Sequence, residues 1–296
     1  MHRSSSVDRV GVVVHPRREI DAALAAIRAW ASTRGVRLGQ VAIPGQGRRV
    51  AEPVDVASCD LVLALGGDGT ALAALHAAAP ASRPVLGVAC GSIGVLTSLP
   101  ASGLSAALEY LTAGNWTSRS LPALEIAAGS ADPRFAINDF AAIRDGTGQV
   151  ITAILVDDEL YARTAGDGVV IATPLGSSAY TMAAGGPILA PGVQAIVVTP
   201  LADHGGVSPP LVTGPDSRLG LSVEPGYGGS RFEIDGQEVP LETMEVTVRL
   251  RQEYASLIAL ADQEPLLTGL RRRGLVVDSP RILARDARDQ SEVPPG

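Results

Sequence analysis

The chain has 296 residues, 46% of them hydrophobic, enough apolar material for one large or two ordinary buried cores. A formal net charge of −7 argues against electrostatic capture of nucleic acid or an anionic membrane, because either surface calls for a basic excess. All 24 Lys/Arg positions are arginine, which excludes mechanisms that require a lysine Schiff base or the lysine of a phosphate-binding P-loop.

Cys59 and Cys90 form no CxxC and no cluster with the four histidines, which points to a reducing compartment without structural zinc. The apolar run 10–14 is short and is followed at once by His15-Pro16-Arg17-Arg18, unlike a secretory leader. No run is long enough to span a bilayer, so the cytoplasm is the expected location.

In chain order, residues 10–14 predict a buried strand, and Ile20, Leu24, Ile27 and Ala31 share one helical face that Gly35 closes. A strand at 41–43 follows, then a strand at 61–65, a helix carrying Leu72 and Leu75 that Pro80 ends, and a strand at 85–88. This alternation predicts a parallel sheet with covering helices. Leu104, Leu108 and Leu111 add an amphipathic helix that Gly114 closes.

From about Leu121 the helical period gives way to closely spaced strands at 123–127, 135–143, 151–156, 169–172 and 195–199. Leu219, Leu221 and Val223 alternate with smaller or polar residues, as do Val246, Val248 and Leu250 with Thr247 and Arg249, so these strands have one buried face. The expected organisation is an α/β domain over 1–118, a β-rich domain over 119–260, a segment over 261–286 that returns to the first domain, and a disordered tail over 287–296. The segment's helical stretch, 265–275, ends near Arg271-Arg272-Arg273.

Four constellations carry chemistry. The first is the buried run 61–65 leading into Gly66-Gly67-Asp68-Gly69-Thr70 and a helix. Three glycines let a backbone approach polyphosphate closely, and the helix adds the positive end of its dipole. A carboxylate at Asp68 repels phosphates unless it serves a metal or accepts a proton, so it favours chemistry over mere binding. The bland account is a glycine-rich turn with an acidic residue at a helix start.

The second is Gly166-Asp167-Gly168, the strand 169–172, Thr173-Pro174-Leu175-Gly176-Ser177-Ser178-Ala179-Tyr180, and Gly185-Gly186-Pro187. Small hydroxyls on a tight loop can bind phosphate or ribose oxygens, and Tyr180 can line or cover a base. A hydroxyl-rich structural loop explains the same residues. The third is Asn138-Asp139, which inside an apolar strand often marks a bulge. The fourth is Asp235-Gly236-Gln237, which reads equally as a hairpin turn.

Taken together, in this order and spacing, the four resemble the NAD kinase family from about Val10 to Arg273. The resemblance implies an α/β domain with a parallel sheet followed by a β-rich, all-β domain, with NAD bound in the cleft between them and often across a subunit interface. It implies ATP with Mg²⁺ or another divalent cation as donor, NAD as acceptor, and a homo-oligomer, dimer or tetramer. Asp68 would bind the adenosine 2′-hydroxyl and take its proton, while Gly66, Gly67, Gly69 and Thr70 would hold donor phosphates. Asn138 and Asp139 would bind adenine and its ribose, and Ser178, Ala179 and Tyr180 the body of the dinucleotide. Asp167 would lie on the nicotinamide side and Ala202 would line the pocket near the adenine; Asp235 carries over with the same binding set.

The sequence also departs from the family pattern. The usual Asn-x-Gly-x-x-Gly-Phe-Leu reads Ala89-Cys90-Gly91-Ser92-Ile93-Gly94-Val95-Leu96, the usual Ser after the Tyr is Ala183, and a common Arg before Pro is Pro209, with His204 retained. These changes touch the substrate cleft and leave Asp68 untouched. Two alternatives therefore stay open: a kinase of this fold acting on another nucleoside or nucleotide, and a non-catalytic NAD(H)-binding sensor.

Overall fold

The run of buried side chains at 10–13 leaves no solvent-facing side, and this strand takes the place such runs occupy, the interior of a parallel sheet covered on both faces. A computed structural model of the chain describes residues 7–260 and 265–291. The first part of residues up to 261 comprises β1 (Arg9–Val14), α1 (Asp21–Arg34), β2 (Arg37–Val41), β3 (Pro53–Val54), β4 (Leu61–Gly66), α2 (Asp68–Ala78), β5 (Val85–Ala89), β6 (Leu99–Pro100) and α3 (Leu104–Thr112). Gly35 ends α1 in the left-handed conformation and donates its N–H to the Ala31 carbonyl, the stop read from sequence. The strand expected at 41–43 lies earlier: β2 pairs with β1 from Arg9↔Arg37 to Val12↔Gln40, so it starts directly after the helix cap.

The second part comprises β7 (Thr117–Ala127), β8 (Arg134–Ala136), β9 (Asp139–Arg144), β10 (Val150–Val156), β11 (Glu159–Gly166), β12 (Gly168–Ala172), α4 (Tyr180–Ala183), β13 (Ile196–Leu201), β14 (Leu211–Thr213), β15 (Leu219–Glu224), β16 (Ser230–Ile234), β17 (Gln237–Val239) and β18 (Glu245–Ala259). A 12-stranded mixed sheet runs β11-β10-β15-β18-β5-β4-β1-β2-β3, with β6 on β5 and β7 and β8 beside β18. Its β5-β4-β1-β2-β3 portion is parallel. A second, all-antiparallel sheet has the order β14-β13-β12-β9-β16-β17. The architecture is therefore an α/β sheet plus an antiparallel β sheet, the fold class the sequence pattern implied.

One core cluster joins Val10, Val12 and Leu63 to Ile27 and Trp30 of α1 and Leu108 and Leu111 of α3. Another joins Phe140, Ile171, Val198 and Phe232 of the antiparallel sheet to Leu124, Ile154, Leu221 and Val248 of the mixed sheet, with Phe140 and Phe232 stacked at 5.8 Å. Each such side chain contributes about 1.5–3 kcal/mol by leaving water.

The single strand expected over 135–143 is two strands in two different sheets, β8 in the mixed sheet and β9 in the antiparallel one. The chain changes sheets at Ile137-Asn138 rather than bulging, because the amides there are held by a side chain from elsewhere, described below. Among the described residues no helix is long and apolar enough to cross a membrane. The unit from residue 262 contains α5 (Leu266–Arg272) and α6 (Pro280–Ser291); α6 includes the first residues of the stretch expected to be disordered, and 292–296 lie outside the described residues.

Candidate active site

β4 delivers Gly66 to the edge of the parallel sheet, Gly67 caps α2, and Asp68 is the first helical residue. The amides at the start of α2 lie ahead of the helix's own acceptors, although that of Thr70 is already taken by the Gly67 carbonyl (2.9 Å), and open space faces Gly69, where a Cβ would meet nothing within 4 Å. Thr70, by contrast, is buried. Asp68 Oδ1 accepts from the amides of Leu96 (2.9 Å) and Thr97 (3.0 Å) and from Thr97 Oγ1 (3.0 Å), and Oδ2 accepts from the Val95 amide (2.8 Å). The carboxylate is thus fixed by four donors, three on one oxygen, which leaves lone-pair capacity on Oδ2. The loop approaches so closely that a Cβ at Gly94 would stand 1.9 Å from Asp68 Oδ1. Gly94 and Thr97 are functional candidates missed in the sequence; the signal was the Gly-x-x-Gly loop itself, quoted there only for its departures.

Asp235 makes a second four-donor carboxylate. It sits at the two-residue turn between β16 and β17, with φ of 51° followed by 73° at Gly236, the hairpin geometry its sequence suggested. Its side chain nonetheless turns inward and is 4% exposed. Oδ1 accepts from the amides of Asn138 (2.7 Å) and Asp139 (3.0 Å), while Oδ2 meets the Ile137 amide (2.9 Å) and His76 Nε2 on α2 (2.6 Å). This is the side chain that peels 137–139 from the mixed sheet. His76 was not singled out in the sequence, having no local pattern.

Asp139 is 6% exposed, and its carboxyl is pushed up to about 7 by burial first and then by the charge of Asp235, against a Tyr180 N–H that bonds the charged form. Asn138 is half-buried. Its carbonyl accepts the Thr173 amide (2.9 Å) and lies so near the next loop that a Cβ at Gly176 would stand 1.9 Å from it. The second and third constellations therefore meet backbone to backbone.

The hydroxyls of that loop serve the loop. Thr173 Oγ1 donates to the Ile137 carbonyl (2.7 Å) and accepts the Gly176 amide (3.1 Å). Ser177 Oγ donates to Pro174 O (2.7 Å) and accepts the Leu189 amide (2.9 Å), and Ser178 Oγ donates to Leu175 O (3.0 Å). Ala179 precedes α4, and Tyr180 opens it with a side chain that is 37% exposed and otherwise covered. The Tyr180 hydroxyl is raised by burial and then by the charges of Glu233, Asp139 and Asp167, with Arg231 acting the other way. Glu233 and Arg231, joined at 2.9 Å, are further neighbours of this site that the sequence did not mark.

Asp167 and Ala202 stand at the other end of β12, which at five residues spans about 17 Å. Asp167 is half-exposed and accepts Arg144 Nε at 2.5 Å. Ala202 is exposed in the left-handed region, φ 44°. Of the departures, Ala89 is buried at the end of β5, beside Gly66 of β4, whereas Ala183 and Pro209 are exposed. The structure thus gathers Gly66 to Thr70, Asn138, Asp139, Ser178, Ala179, Tyr180 and Asp235 around α2 and the adjoining β9 and β12 ends; Asp167 comes from the opposite end of β12, with its charge still felt at the Tyr180 hydroxyl and its amide bonded to the Leu201 carbonyl next to Ala202.

A family model described as the ATP-NAD kinase N-terminal domain matches residues 10–116, and one described as the ATP-NAD kinase C-terminal domain matches residues 138–260. NAD kinase of Chlorobaculum tepidum is 35% identical over 205 residues, 68% of this chain and 72% of that one. Among solved structures, yeast NADH kinase complexed with NADH is similar with a TM-score of 0.79 and 21% identity, covering 93% of this chain and 89% of that one. NAD kinase from Archaeoglobus fulgidus in complex with ATP is similar with a TM-score of 0.71 and 20% identity, covering 90% and 97%. At such identities these two structures speak to the fold.

Proposed function

The chain belongs to the NAD kinase family, and from that premise we propose that it transfers the γ-phosphoryl group of ATP to the adenosine 2′-hydroxyl of NAD, giving NADP and ADP. The observation that carries this reading is Asp68, a carboxylate fixed by four donors at the mouth of a glycine-rich phosphate loop, with accepting capacity left on Oδ2. A group so held meets the reacting hydroxyl without reorganising, which is what phosphoryl transfer asks of a protein.

In the proposed step the 2′-oxygen attacks the γ-phosphorus, its proton passes to Asp68 Oδ2, and the bond to the β-phosphate oxygen breaks to release ADP. Gly66, Gly67, Gly69 and Thr70 form the cradle for the donor phosphates. Asn138 and Asp139 hold adenine and ribose; a carboxyl titrating near neutrality can both donate and accept there. Ser178, Ala179 and Tyr180 take the dinucleotide body, Asp167 lies on its nicotinamide side, and Ala202 lines the pocket near the adenine. Asp235 belongs to the binding set through the amides it fixes.

Mg²⁺ enters as part of the donor substrate, held by phosphate oxygens and water, where it neutralises charge on the triphosphate. Among the described residues no group of three His, Cys, Asp or Glu side chains is placed to hold a metal ion. A cytoplasmic homo-oligomer completes the proposal, its subunit number read by light scattering.

The test is an initial-rate assay with ATP and Mg²⁺ against NAD, NADH and free nucleosides, with NADP read by an NADP-specific dehydrogenase. NADP formation is expected; turnover of another acceptor without NADP would sink the claim.

A further inference from the structure

One cation beside the phosphate loop is not absorbed by this reading. After β1 the chain turns tightly, with His15 Nδ1 accepting the amides of Arg17 (3.1 Å) and Arg18 (3.0 Å). That turn lays the Arg18 guanidinium against two glycines on neighbouring loops. A Cβ at Gly67, the cap of α2, would stand 3.2 Å from Arg18 Nη1, and one at Gly91, after β5, would stand 2.8 Å from the same atom. The guanidinium's hydrogen bond is a long one to the Cys90 carbonyl (3.4 Å), and among the described residues it has no carboxylate partner within ion-pair distance.

The acidic groups nearby are already occupied. Asp21 pairs with Arg48 (2.9 Å), and Glu19 Oε1 accepts the Asp21 amide (2.8 Å). Arg18 also forms one wall of a cavity of about 600 Å³, whose lining includes the carboxylates of Glu19 and Asp21 beside Ile20, Ala23, Cys90, Gly91, Ser92 and Ala101. Pockets of this volume, mostly apolar with a few polar groups, suit a small-molecule ligand.

We propose that Arg18 binds the phosphate chain of the donor and that the cavity behind it receives the donor's nucleoside, so that this protein selects a nucleoside triphosphate over a bare polyphosphate chain. The proposal rests on the phosphotransfer reading above and adds the donor's orientation, with phosphates on the α2 loop and nucleoside toward α1. In a chain without lysine, an arginine whose guanidinium makes only one long hydrogen bond among the described residues, to the Cys90 carbonyl, is the group that can grip a phosphate from the side opposite the α2 amides.

The test uses Arg18→Ala, Arg18→Lys and a cavity-filling Ala101→Trp. With MgATP varied at saturating NAD, Arg18→Ala is expected to raise the KM for ATP by about tenfold to hundredfold, as for loss of a charge-assisted phosphate contact. The KM for NAD should stay within about twofold, and Arg18→Lys should recover part of the loss. Ala101→Trp should raise the KM for ATP while leaving the slower reaction with tripolyphosphate unchanged. Calorimetric titration of each variant with ATP alone, without acceptor, keeps the result independent of whether NAD is the acceptor. Equal changes toward ATP and NAD, unaltered ATP binding in Arg18→Ala, or tripolyphosphate serving the parent protein as well as ATP would each overturn the proposal.

Discussion

Asp68 and Asp235 invite comparison. Each precedes a glycine, each carboxylate accepts four hydrogen bonds, and the two are linked through α2, which starts at Asp68 and carries His76 about 12 Å further along its axis. They differ in what their donors leave over. Three of the four donors crowd one oxygen of Asp68, so the other can still accept, and the site opens toward solvent at Gly69. At Asp235 two donors occupy each oxygen and the side chain is sealed. The same dipeptide thus yields a group placed to act on a substrate and a group that shapes the segment that binds it.

The comparison breaks most visibly under substitution. Asp68→Asn removes the proton acceptor while keeping the shape, with its Oδ1 still able to face the three donors of residues 96 and 97. Turnover should fall by about 10²–10⁴, the range expected for loss of general-base assistance, with NAD affinity measured by calorimetry within a few-fold of the parent. Retained turnover would mean that Asp68 only braces its loop. Asp235→Ala should do the reverse. It leaves three amides and His76 without their partner, and breaking such a buried arrangement costs about 3–5 kcal/mol of stability. Chemical denaturation should show that loss, and the remaining folded protein should lose affinity for NAD more than kcat. A variant that kept its stability would refute the role of Asp235 as the fastener of 137–139.

How far the sequence reveals such a site depends on whether the information is local. The parallel strands were legible because burial on both faces leaves an unbroken apolar run, and helix α1 because its period and Gly35 agree. The four motifs were legible as strings. What each residue does with its side chain was not, because the partner lies far along the chain: 27 to 29 positions separate Asp68 from its donors, and 159 separate His76 from Asp235. The same distance hid the break at Ile137-Asn138, which local pattern read as one strand, and the joining of β18 to β5 in one sheet. Arg18 was passed over because a basic turn after a strand has many bland uses, and only the two glycines facing it distinguish this one.

The smallest predicted effect sharpens the pair by way of their neighbour. Asp139 has its carboxyl raised from 3.8 to about 7, with burial as the main cause and the charge of Asp235 as the second. A group that holds its proton more tightly in the folded state stabilises most below its unfolded pKa, and that contribution is lost as the pH rises through the folded value. Asp139 should therefore oppose folding increasingly between about pH 4 and pH 7 and change nothing further above it. Asp139→Asn removes the titration but keeps a carbonyl oxygen for the Tyr180 amide. The melting temperature of this variant relative to the parent should be higher at pH 8 than at pH 5 by a few degrees. Because Asp235 is the second cause, the shift should shrink in an Asp235→Asn background, whereas Asp68→Asn should leave it as it is. A difference between parent and Asp139→Asn that stays constant from pH 5 to pH 8 would show that the carboxyl is already ionised throughout, and that Asp235 shapes this segment through its hydrogen bonds alone.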